Sequence, residues 1–207
     1  MIDFPLIAGI LASMLHVISG PDHLAAVTPL AIETEKKTWK IGLFWGIGHI
    51  AGMLLIGGLF LVFAAHIPVE RISEHSEKLV GIVLIGVGLW AFYKLFNEKR
   101  SPSKILSRTD KKSILSSLGI GILHGFAGIA HFLLLLPVLG FKTNFEGTQY
   151  IIGFGIGTVL VMTIYAFLLG KATYFTKRQN AQFFNGIRFS GGIFATVIGI
   201  YWLYLGF

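Results

Sequence analysis

The chain has 207 residues, of which 54% are hydrophobic and only 13% charged, with 17 basic against 10 acidic side chains. A water-soluble domain of this size carries about twice that charged fraction, and the mean hydropathy of +0.75 points the same way. The lack of any cysteine excludes disulfide relay, thiolate metal ligands and haem attachment through paired cysteines.

Six apolar stretches are predicted along the chain, at residues 4–32, 41–65, 79–96, 113–141, 147–170 and 187–207. Each approaches or exceeds the roughly 20 residues that cross a bilayer as a helix. None alternates in the manner of a barrel strand. The expected fold is therefore an all-α membrane protein of six transmembrane helices with no soluble domain. The first stretch reads as a span rather than a signal peptide, because no basic segment leads it and polar residues interrupt it.

That interruption is "HVISGPDHL", residues 16–24. On an unbroken helix His16 and His23 would lie about 10.5 Å apart along the axis. Metal–nitrogen bonds are about 2 Å long, so the two rings would not reach one ion. Gly20-Pro21 changes this, since proline breaks the helical ladder and glycine tolerates unwound backbone. Unwinding there swings Asp22 and His23 toward His16 and frees carbonyls for a cation. On this reading, alanine at both positions restores a regular helix, favoured by about 3 kcal/mol at the proline and 1 at the glycine. Asp22 is the only acid inside any predicted span, and a buried carboxylate needs a cation, a donor or a proton.

The second span carries "GIGHIAG" (46–52), whose glycines suit close helix packing. It is no nucleotide loop, because no strand precedes it. Its His49 joins the intramembrane histidines. The segment "HIPVERISEHSEK" (66–78) reads as an external loop with a solvated acidic face around Glu70, Glu74 and Glu77, beside His66 and His75. A basic linker, residues 97–112, follows the third span. The fourth adds His124 and His131 in "LHGFAGIAHF". Five intramembrane histidines and one carboxylate mark function more than helix–helix bonding.

The chain also repeats itself. Laid without a gap over residues 123–138, residues 15–30 pair His16 with His124, Gly20 with Gly128, His23 with His131 and Pro29 with Pro137. The later spans match at offsets of 109 and 111, pairing Gly48 with Gly157, Gly81 with Gly192 and Gly88 with Gly199. Two three-helix repeats result, residues 1–96 and 113–207, joined by the linker. Three spans per repeat make the repeats inverted, with broken first and fourth helices, a recurrent transporter design. Fourteen of the 17 basic residues fall in the loops after spans one, three and five. That face is expected to be cytoplasmic, which puts both termini on the non-cytoplasmic side of the cell membrane. The linker thus reads as a topology signal, and no nucleic-acid partner is expected.

Together "HVISGPDHLAAVTPL", "GLFWGIGHIAGMLLIG" and "GILHGFAGIAHFLLLLP" resemble the nickel/cobalt transporter family, in particular its compact urease-accessory-type six-span branch. The likeness covers nearly the whole chain. It implies that His16, Asp22 and His23 line a metal path, with His49, His124 and His131 as further candidate ligands. This chain has His-x5-Asp-His where the larger permeases have x4, and no acid precedes His131. Imidazoles with one carboxylate suit nickel, cobalt, zinc or copper, whereas magnesium or calcium calls for more oxygen ligands. The expected function is transport of nickel or cobalt as cargo, with no prosthetic group and no enzymatic activity. Carriage of another small solute, or an intramembrane metal-dependent hydrolase, are the alternatives. Six short helices enclose little interior, which leaves a homodimer open.

Overall fold

The computed structural model describes residues 4–34, 37–63, 69–98, 109–127, 138 and 140–205, and among them the chain forms seven helices and no strand. Helices α1 (Phe4–Ser19) and α2 (Pro21–Ile32) meet at Gly20 with a bend of 72°. They are followed by α3 (Trp39–Phe63), α4 (Val69–Glu98), α5 (Thr109–Ala127), α6 (Asn144–Gln179) and α7 (Ala181–Leu205). Four of these, α3, α4, α6 and α7, are each long and apolar enough to cross a membrane. The bent α1–α2 pair meets the same measure only when its two helices are taken together, which gives four to five candidate spans among the described residues. The remaining helix, α5, opens on Asp110, Lys111 and Lys112. Its expected continuation through Gly128 and His131, with the break there, lies outside the described residues.

Several boundaries differ from expectation, and the loop between the fifth and sixth stretches is helical except at Asn180. Residues 69–78, expected as part of an external loop, are the first turns of α4. In the sequence Glu74 stands four residues before Lys78, a spacing that favours a helix. At 36 residues α6 is about 54 Å long, well beyond a hydrocarbon core of about 30 Å. Its last turns, with Lys171, Lys177 and Arg178, therefore extend past the apolar layer. Side chains cap the N-termini of both α6 and α7. Thr143 Oγ1 accepts from the Glu146 amide at 3.2 Å, and Asn180 Oδ1 accepts from the amides of Gln182 and Phe183 at 2.9 and 3.1 Å.

Apolar surface gives helices little reason to associate inside lipid, so close packing must do it. The main pairs are α3 with α5, α4 with α7, and α1 with α6. Gly48 and Gly52 of α3 meet the backbone of α5, while Gly121 and Gly125 of α5 meet that of α3. At Gly125 an added Cβ would lie 2.8 Å from the His49 carbonyl carbon, so only glycine lets α5 approach this closely.

Helix α2 occupies the centre and touches all six others. Asp22, His23 and every residue from Ala25 to Ile32 are buried. Small side chains at Ala25, Ala26 and Ala31 make room for the surrounding helices. Thr28 donates or accepts a 2.5 Å hydrogen bond with the Tyr165 hydroxyl of α6. The helix ends on a buried ion cluster. Arg188 of α7 forks onto the Glu33 carboxylate, Nε to Oε1 at 2.5 Å and Nη2 to Oε2 at 2.9 Å, and Lys94 Nζ of α4 lies 2.9 Å from Oε2.

Candidate metal centre

The centre is built where α1 stops. The Gly20 amide donates to the His16 carbonyl at 2.9 Å, closing α1. Gly20 itself is extended, with φ −89° and ψ 99°, and Pro21 takes the first position of α2. Proline is well placed there, since an amide at that position has no intrahelical partner. A single residue thus leaves the helix, at the Gly20-Pro21 position where the break was expected. The Gly20 carbonyl oxygen accepts from the His23 amide at 3.2 Å. The backbone here is not left-handed, so glycine is needed for space. A Cβ would fall 2.7 Å from Cε1 of His23 and 2.9 Å from Oδ1 of Asp22.

The bend brings the His16 and His23 rings together, edge to face, with centroids 4.5 Å apart. His49 arrives from α3, 5.2 Å from the His23 ring and 6.3 Å from that of His16. His124 arrives from α5, 4.9 Å from His23 and 5.7 Å from His49. Asp22 sits behind two of these rings. Its Oδ1 lies 3.2 Å from His23 Nδ1 and its Oδ2 lies 2.9 Å from His124 Nε2. An ionised carboxylate only accepts, so these two ring nitrogens carry the protons.

Two ligand sets emerge, His16 with His23 and His49, and Asp22 with His23 and His124. Within each set, one donor atom per residue lies within 4.8 Å of the others. All are buried except His16, which is half-buried. Five of the six expected site residues are thus brought together. The sixth, His131, lies outside the described residues, as does His66. His75 is exposed on α4. The donor set of imidazoles and one carboxylate matches late first-row divalent ions better than magnesium or calcium.

Sequence reasoning missed Trp45, one aromatic among many in the apolar stretches. Fully buried on α3, it sits one turn before His49 and stacks on that ring at 4.9 Å and 9°. Its indole is also 5.5 Å from both His23 and His124. The i, i+4 spacing of Trp45 and His49 was the available signal. Phe154 of α6 lies 6.1 Å from His16. Bound cobalt is expected to quench Trp45 fluorescence, and Trp45→Phe should remove that quenching. Trp45→Leu should weaken cobalt binding roughly two- to tenfold, the value of one aromatic stacking contact. An unaltered affinity in a titration of Trp45→Leu would reduce the indole to filler.

Residues 6–201 match the family described as the cytochrome c biogenesis protein transmembrane region. Chloroplast proteins FOR GROWTH AND FERTILITY 2 and 1 of Arabidopsis thaliana are 31% and 28% identical to the chain, each over 93% of it. The chain spans 54% and 56% of those two proteins, about half their length. Urease accessory protein UreH of Bacillus sp. (strain TB-90) is 34% identical, over 95% of this chain and 89% of its own. No solved structure matches. Neither the family description nor the name of UreH denotes an enzyme. With no cysteine, this chain carries out no thiol–disulfide exchange of its own. The family match and the nearly full-length alignment with UreH establish that this multi-span membrane protein belongs to the cytochrome c biogenesis transmembrane region family and is a relative of the urease accessory protein.

Proposed function

We propose that the protein carries a divalent transition metal ion, nickel or cobalt, across a membrane. The observation that carries this reading is the convergence of four imidazoles from α1, α2, α3 and α5 around the buried Asp22. Ionisable side chains inside a membrane are costly, and gathered ones mark the path of an ion. Urease is a nickel enzyme, so the likeness to a urease accessory protein favours nickel. The ion is cargo, with no prosthetic group, and the other partner is the bilayer.

The packing supports two inverted three-helix repeats, residues 1–96 and 113–207. Repeat alignment maps α1 onto α5, α3 onto α6 and α4 onto α7, so the α1–α6 contact maps onto the α5–α3 contact. Individual glycines obey the same exchange. Gly48 meets Leu118 and Gly157 meets Ile10; Gly81 meets Gly199 and Gly88 meets Gly192. Such an arrangement places a cargo site between the halves, at the meeting of broken helices. The basic linker 97–112 would face the cytoplasm and both termini the opposite side of the cell membrane.

The test is uptake of radiolabelled nickel into proteoliposomes holding the purified chain. His23→Ala should lower the rate at least as far as loss of an outer-shell partner lowers metal affinity, roughly 10- to 100-fold. His75→Ala should transport at the parent rate. Normal uptake by a His16/Asp22/His23 triple alanine variant would overturn the assignment.

A further inference from the structure

We propose that the centre holds its ion at two overlapping positions and that His23 passes the ion between them. The inference rests on the metal-transport reading above and deepens it. One position is bounded by His16, His23 and His49, the other by Asp22, His23 and His124. Among the described residues, no single group at this spacing takes in all five. With metal–nitrogen bonds of about 2.0–2.1 Å, donors on one ion lie within about 4.2 Å of each other. Each triad needs only a small contraction to reach that, whereas the five together need a rearrangement.

His23 is built for the exchange. Its Nδ1 lies 3.2 Å from Asp22, on the side of the second triad. The other ring nitrogen, Nε2, is buried across the imidazole from Nδ1, and is assigned to the His16 and His49 side. An ion leaving one nitrogen for the other moves by about the width of the ring, and the ring proton crosses the opposite way. His23 carries that proton on Nδ1 toward Asp22 while the ion is on Nε2, and on Nε2 while the ion is on Nδ1. The His124 proton shifts likewise from Nε2 to Nδ1. The two positions also differ in charge, since the first offers three neutral imidazoles and the second adds a carboxylate. They bind different helices as well. An ion in the first ties α1 and α3 to α2, and an ion in the second ties α5 to α2. Because both use His23, the centre holds one ion at a time.

Cobalt(II) is the probe, added to the full chain in detergent, with its visible absorption reporting the donor set. The parent should bind one cobalt per chain. His16→Ala should still bind one, weakened roughly 10- to 100-fold, with a spectrum of mixed nitrogen and oxygen ligands. His124→Ala should also bind one, with an all-nitrogen spectrum. Both should fail to transport cobalt in proteoliposomes although they bind it. His23→Ala should bind none measurably. Where His124→Ala does not fold, as judged by thermal melting, His124→Asn replaces it. Identical spectra for His16→Ala and His124→Ala, each losing as much affinity as His23→Ala, would mean one five-ligand site and overturn the proposal. Two cobalt ions per parent chain would overturn it too. A parent chain that binds no cobalt would instead sink the metal-transport reading on which it rests.

Discussion

Glu33→Gln is expected to destabilise the protein by about 3–5 kcal/mol, the cost of removing one partner from a buried ion cluster. The side chains of Glu33 and Arg188 are 4% and 5% exposed, and that of Lys94 is 11% exposed. Glutamine fills the same space and keeps one acceptor, but it removes the negative charge that the two cations share. Lys94→Met should cost less, because Arg188 still forks onto the carboxylate. Lys94 also rests on the Trp90 ring at 5.4 Å, a contact that the methionine side chain partly retains. Thermal unfolding of the purified protein in detergent measures both. A loss below about 1 kcal/mol for Glu33→Gln would place the cluster among solvated surface pairs.

Gly20→Ala should cost about 1–3 kcal/mol, as overpacking of a filled site does, and should abolish cobalt binding. The new Cβ would occupy space held by the His23 ring and Asp22 Oδ1, displacing the residue common to both ligand triads. Pro21→Ala should be nearly silent in stability and binding, since position one of α2 tolerates either residue. Helix propensity alone gives the opposite order, with the larger gain at the proline. That gain applies inside a helix, and Pro21 starts one. Melting curves and cobalt titrations of the two single variants separate these accounts. Parent-like cobalt affinity in Gly20→Ala would show that His23 can shift without losing its ligands.

Much of this was legible in the sequence because it is local. The break at Gly20-Pro21 follows from two poor helix formers among polar residues, and the approach of His23 to His16 follows from the break. The spans followed from apolar length, which fixes what can cross a bilayer. Long-range assembly was less legible. Nothing local says that His124 accepts Asp22 as its partner from across the molecule; the internal repeat hinted at it by aligning His124 with His16. The Glu33 cluster left no sequence signal at all. Lys94 and Arg188 each read as loop charges that set topology, and Glu33 falls one residue past the first apolar stretch. Their meeting depends on α4 and α7 pairing beside the end of α2, a contact between residues far apart in the chain. Trp45 was hidden for a different reason, since an indole in an apolar span looks like every other packing aromatic.

The central position of α2 has a consequence for synthesis. Its neighbours are made late, for α1 packs on α6 and α2 is held at its end by Arg188 of α7. A ribosome adding about 5–20 residues per second needs on the order of ten seconds to go from Ser19 to Asn144. Throughout that interval Asp22 lacks His124 for most of the time and Glu33 lacks Arg188 for all of it. The nascent N-terminal half therefore holds these carboxylates without their full set of partners until translation is nearly over. A frameshift early in α7, far from every imidazole, would erase the metal centre by deleting the last anchor of α2 to be made.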